Sequence, residues 1–135
     1  MDTYKMASRV AMAKGTVVVD ENVQFLAPML RAVNIRTIVP RSGMDDDDIV
    51  EQLLSNRMIV TRNSKDFVDK ASSYDFGIVS LDALAFIDSD ENPAKNKTVQ
   101  LISKALIDFG LWSKRHGFLI ELHDDGKHAY RDLTE

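Results

Sequence analysis

The chain has no cysteine, and that absence removes several chemistries at once. A disulfide framework, a thiolate zinc site and a cysteine nucleophile are all excluded. Long apolar runs are missing too, since no stretch approaches the roughly 18 residues needed to span a bilayer. No basic-then-apolar leader opens the sequence as given, so the expected location is cytoplasmic, with no membrane partner. Repeats, low-complexity tracts and linker-like stretches are also lacking. The Asn96, Lys97, Thr98 triplet fits a glycosylation pattern, but without a secretion signal it reads as a chance match.

What is present fits one domain. A chain of 135 residues can bury roughly two-thirds of its unfolded surface and needs no staple to fold. The net charge of −4 argues against indiscriminate binding to nucleic acid. Its distribution says more: residues 1–68 balance nine acids with nine bases, whereas 69–135 hold twelve acids and eight bases. Arg31, Arg36, Arg41, Arg57, Arg62 and Lys65 all fall in the balanced half, which permits a local basic surface beside an acidic site.

Apolar patterning alternates strand-like and helix-like segments. Residues 3–14 suit a short helix stopped by Gly15. TVVV at 16–19 is apolar on both faces, as a central parallel strand would be. A helix follows from about Ala27, with Pro28 confined to its first turn, to about Val33. The second strand is expected at 35–39, a helix opens at the aspartates, and MIVT at 58–61 is the third strand. A short helix from Lys65 to Ser73 and a fourth strand at 76–81 come next. An irregular connection is expected over 82–95 and a long amphipathic helix over about 97–115, with Phe109 and Trp112 in its core stripe. Strands at 117–123 and 128–133 flank a turn at 124–127. This alternation predicts an α/β fold whose mostly parallel sheet is flanked by helices.

Residues 43–54 read GMDDDDIVEQLL, placing four consecutive aspartates before an apolar helical pattern. Neighbouring like charges about 4 Å apart repel by roughly 1 kcal/mol even in water. One explanation is a helix start, with Asp45 or Asp46 capping and Asp47 and Asp48 favouring the dipole. The other is a cation site. Ligands in open parallel sheets bind beyond the carboxyl ends of the strands. Asp20, residues 45–48, and Asn63 with Asp66 all follow predicted strands at that edge. Hard oxygen donors of this kind suit Mg²⁺ or Mn²⁺, the ions of phosphodiester hydrolysis.

Taken together, VVVDENVQFLAPMLRAV, GMDDDDIVEQL and MIVTRNSKDF resemble the compact PIN-like domains common in prokaryotic toxin–antitoxin loci. The likeness covers residues 16–81, with a looser match of GFLIELHDDGKHAYRDL to the terminal strands. It implies a PIN-like three-layer fold over 1–135, with a helical extension at 1–15 and a terminal β-hairpin at 117–133. It further implies a metal-dependent ribonuclease acting through Asp20, Asp46, Asp47, Asn63 and Asp66. Asp20, Asp47 and Asp66 would bind Mg²⁺ or Mn²⁺, with Asp46 the other choice for the helix-borne acid. Arg41, Arg62 and Lys65 would contact RNA phosphates. Water would be the nucleophile, so products would carry a 5′-phosphate. A protein antitoxin or immunity partner is implied, and a homodimer is compatible with the sequence. Asn63 departs from the aspartate of many relatives, which removes one charge, although other PIN-domain nucleases share Thr-Arg-Asn. A catalytically degenerate module binding RNA or protein is the alternative.

Rival motifs fare worse. A calcium loop at 88–92 fails because Pro93 replaces the required Gly and Val99 the bidentate Glu. His123 and His128 facing each other across the terminal turn would make a metal-independent acid–base site, against the simpler reading of an exposed polar hairpin. A phosphoacceptor receiver domain needs an aspartate where the third strand ends in Thr61.

Overall fold

The computed structural model describes residues 16–55, 57–71, 74–87, 89–108 and 117–133. Its strands are β1 (Thr16–Val19), β2 (Arg36–Ile38), β3 (Met58–Thr61), β4 (Gly77–Ser80), β5 (Phe118–Leu122) and β6 (His128–Asp132). The α-helices among the described residues are α1 (Leu26–Ala32), α2 (Asp46–Leu53), α3 (Lys65–Ala71) and α4 (Asn92–Asp108), with a 3-10 turn at Glu21–Val23. The helix expected at 3–14, and the expected places of Phe109 and Trp112, lie outside the described residues.

The six strands form one sheet in the order β2-β1-β3-β4-β5-β6. β1 to β5 run parallel, and β6 pairs antiparallel with β5. Val17, Val18 and Val19 are fully buried because β1 lies inside the sheet with helices over both faces. Val17 and Val19 join α1 and α4 in one apolar cluster, through Leu26, Leu30, Ile102 and Leu106. Val18, Ile59 and Ile78 join α2 and α3 in the other, through Ile49, Val50, Phe67 and Ala71. The arrangement is compatible with a three-layer α/β fold. No helix among the described residues is long and apolar enough to cross a membrane.

Local chemistry sets the boundaries. Asn34 ends α1 with a left-handed φ of 68°, while the Ile35 N–H donates to the Leu30 carbonyl and the Asn34 N–H to that of Arg31. Asparagine tolerates that conformation, which closes the helix and turns the chain into β2. Gly43 has φ 83° in the turn whose Met44 N–H donates to the Arg41 carbonyl, and this turn delivers the chain to α2. The one substantial departure from the sequence reading is α4, which begins at Asn92 rather than near Lys97. Pro93 sits in the first turn, where its missing N–H has no helical acceptor in any case, so Asn-Pro opens the helix instead of prolonging the loop.

α3 spans only 7 residues, too few to be stable alone. It persists because Phe67 and Ala71 are fully buried under the sheet. Phe67→Ala should therefore cost roughly 3–5 kcal/mol, read as a lowered urea midpoint at unchanged slope. A loss under about 1 kcal/mol would contradict this anchoring role.

Candidate functional site

The sheet order reverses direction at β1: the chain passes from β1 out to β2 and returns to β3 on the other side. A crevice opens at the carboxyl end of such a switch point, because the two connections diverge. Asp20 stands at its head. The Asp20 N–H donates to the Val60 carbonyl at 3.0 Å, so the backbone is locked to β3. Its carboxylate accepts the Glu21 N–H at 2.8 Å through Oδ1 and the Thr61 hydroxyl at 2.7 Å through Oδ2. Thr61 is fully buried, and its Oγ1 also accepts the Asn63 N–H at 2.9 Å. A single hydroxyl thus orients both the strand-end acid and the turn after β3.

The aspartate quartet separates into distinct roles. Asp45 is the N-cap of α2, with extended backbone angles and Oδ1 accepting the Asp48 N–H at 2.9 Å. Asp46, the first helical residue, is half-buried and meets the other acids. Burial raises its carboxyl above the usual 3.8, and the charges of Asp66 and Asp20 raise it further. Lys70 works against that rise and Asp45 adds to it. Asp47 is turned outward: its side chain is 82% exposed and lies 3.6 Å from the Lys70 ammonium. Of the two helix acids expected at the site, Asp46 is thus the one coupled to the charges of Asp66 and Asp20, while Asp47 faces Lys70. Asp48 and Asp47 remain in the first turn, where negative charge suits the helix dipole.

Asp66 is exposed in the first turn of α3, and its N–H donates to the Asn63 carbonyl at 3.1 Å. Asn63 is exposed at the same edge. Arg41 is exposed in the turn before α2, Lys65 is exposed at the start of α3, and Arg62 is half-buried between β3 and α3. All of the expected site residues therefore follow β1, β2 or β3 at the carboxyl edge. The terminal histidines differ in setting. His128 lies opposite Leu122 and shares its face, whereas His123, one residue on, pairs with Glu121 at 3.1 Å.

A divalent ion is the chemical test of this cluster. Carboxylate oxygens are its natural donors, and Asp20 retains lone pairs beyond its two hydrogen bonds. Among the described residues, no three acidic or histidine side chains are already gathered closely enough to hold a metal. The charge coupling at Asp46 and this looser spacing agree, since Coulomb energy falls only as 1/r and registers acids that do not touch. In donor chemistry alone, these carboxylates suit a hard cation.

Three contributors escaped the sequence reading. Thr61 was visible only as the last residue of a strand. Lys70 reaches from α3 to Asp47, and its Nζ donates to the Asp66 carbonyl at 3.5 Å. Asp82 follows β4 at the same edge that singled out Asp20, so the same topological signal marks it. No protein-family model, curated protein or solved structure matches the chain.

The Asp46 shift has a stability consequence with a definite sign. An acid whose folded value lies above 3.8 weakens the fold once ionised; the penalty is absent below that pH and complete above the folded value. Asp46→Asn should raise Tm at pH 7, and the gain should vanish as pH falls below 3.8. Thermal melts from pH 7 to about 3 check it, and a lower Tm at neutral pH would contradict the placement.

Proposed function

We propose that the protein is a metal-dependent ribonuclease that hydrolyses RNA phosphodiester bonds with Mg²⁺ or Mn²⁺. The observation that supports it most is geometric: Asp20, held by the Thr61 hydroxyl at the end of β1, shares the carboxyl edge of the sheet with Asp46 and Asp66, and the Asp46 carboxyl is raised by burial and then by those two charges. Placing like charges near a half-buried carboxyl is unfavourable unless a cation relieves them. The resemblance to PIN-like domains supplies the reaction class. Asp20, Asp46 and Asp66 would hold the ion, which when bound acidifies water and neutralises phosphate charge.

The chain's own residues carry the remaining work. Thr61 keeps Asp20 in one orientation, so less ordering is required when the cation and RNA arrive. The same hydroxyl fixes the Asn63 backbone, leaving the exposed amide to position a water or a phosphate oxygen. Arg41, which follows β2, and Arg62 and Lys65, which follow β3, would contact the RNA backbone. Asn63 also favours a second reading, a module that binds RNA or protein without cutting, because it is uncharged where many PIN-like domains carry an acid. Under the first reading a protein antitoxin or immunity partner would restrain the activity.

A cleavage assay on a mixed RNA pool separates these readings. The wild-type protein should cut with Mn²⁺, leave 5′-phosphate ends and stop in excess EDTA. Asp20→Asn should abolish cleavage while remaining folded, since Thr61 can accept a hydrogen bond from the new amide. RNA retention without cutting would support the binding module. Wild-type rates from the Asp20→Asn protein would overturn the assigned site.

A further inference from the structure

Asp82 follows β4 at the same edge, and its carboxylate is held by Ser64. Its Oδ2 accepts the Ser64 hydroxyl at 2.6 Å, and its Oδ1 and Oδ2 share the Ser64 N–H at 3.3 and 3.2 Å. Hydrogen bonds to an ionised acceptor are roughly twice as strong as neutral ones. Ser64 in turn launches α3, because its carbonyl accepts the N–H groups of Phe67 at 2.9 Å and Val68 at 3.1 Å. Asp82 therefore holds the residue from which the Asp66 helix grows.

The grip is built into the sheet. The Asp82 N–H donates to the Oγ of fully buried Ser80 at 3.3 Å. The neighbouring strand repeats the device, with the Asn63 N–H donating to Thr61 Oγ1 at 2.9 Å. Thr61 and Ser80 are direct partners in the β3–β4 register, and the Leu81 N–H donates to the Thr61 carbonyl at 2.9 Å. Asn63 and Asp82 thus each lie two residues beyond the ends of adjacent strands. The carboxylate of the second closes on the residue following the first.

We infer that Asp82 is a positioning residue for the proposed metal-dependent cleavage, fixing the turn 63–66 and with it the reach of Asp66 toward Asp20 and Asp46. This rests on the nuclease reading. In this role Asp82 acts through Ser64. Partners of this outer kind typically change metal affinity by 10- to 100-fold when removed. A simple helix clamp would behave differently, lowering Tm without moving the affinity for the ion.

Mn²⁺ binding followed by the EPR signal of the free ion distinguishes the two roles and needs no turnover. Asp82→Ala should weaken Mn²⁺ binding by roughly tenfold, and the Mn²⁺ dependence of RNA cleavage should move by the same factor. Asp82→Asn keeps an acceptor oxygen for Ser64 and should recover most of the loss. Ser64→Ala, which retains the backbone N–H contact, should shift binding in the same direction by less, and it serves if Asp82→Ala does not fold. Wild-type binding with unchanged affinity in the folded variants would overturn the positioning role and leave the nuclease reading standing. Failure of the wild-type protein to bind Mn²⁺ or cut RNA would overturn that reading and this inference together.

Discussion

The hydrogen bond from the Thr61 hydroxyl to Asp20 Oδ2, 2.7 Å long, joins the ends of the two strands between which the sheet changes direction. Everything proposed for this edge depends on it. A carboxylate at a strand end ordinarily samples several rotamers and serves as a turn or cap residue. Here the acceptor face of Asp20 is set by a donor that has no freedom of its own, because Thr61 is fully buried and also accepts the Asn63 N–H. The fold thereby converts a flexible acid into a fixed one at the mouth of the crevice.

Electrostatics works against the same arrangement. Asp46 is pushed up by burial and then by Asp66 and Asp20, with Lys70 giving partial relief. Lys70 lies 3.6 Å from Asp47, so the ammonium that moderates the cluster is itself held by the outward-facing member of the quartet. The aspartate run therefore has an internal division. Asp45 caps, Asp46 faces the cleft, Asp47 engages Lys70 and Asp48 donates its N–H to the cap. Concentrated negative charge tied to the frame of a parallel sheet is the physical basis of the proposed cation-dependent chemistry.

Much of this was legible in the chain itself. TVVV followed by Asp marks a buried strand delivering an acid to its carboxyl end, and MIVT followed by a polar turn does the same. The aspartate run could be placed at a helix start from dipole arguments alone. Which aspartate turns inward could not, because a shift of one residue in the cap rotates each side chain by about 100°. The extended conformation of Asp45 fixes that phase. The bonds of Thr61, Ser64, Ser80 and Asp82 were hidden for another reason. They depend on the β3–β4 register, which long-range pairing sets and local patterning does not encode. The start of α4 was missed because Asn-Pro suits a loop end and a first helical turn equally well.

The central claim is that acids from separate segments share one dication at the β1–β3 switch point. Crystals soaked in Mn²⁺, with data collected to record its anomalous scattering, address that claim without reference to any reaction. The account predicts a peak at this edge bound by Asp20 and by at least one of Asp46 and Asp66. A map at saturating Mn²⁺ with no peak there, or with Asp20 still bound only to Thr61 and Glu21, would contradict it.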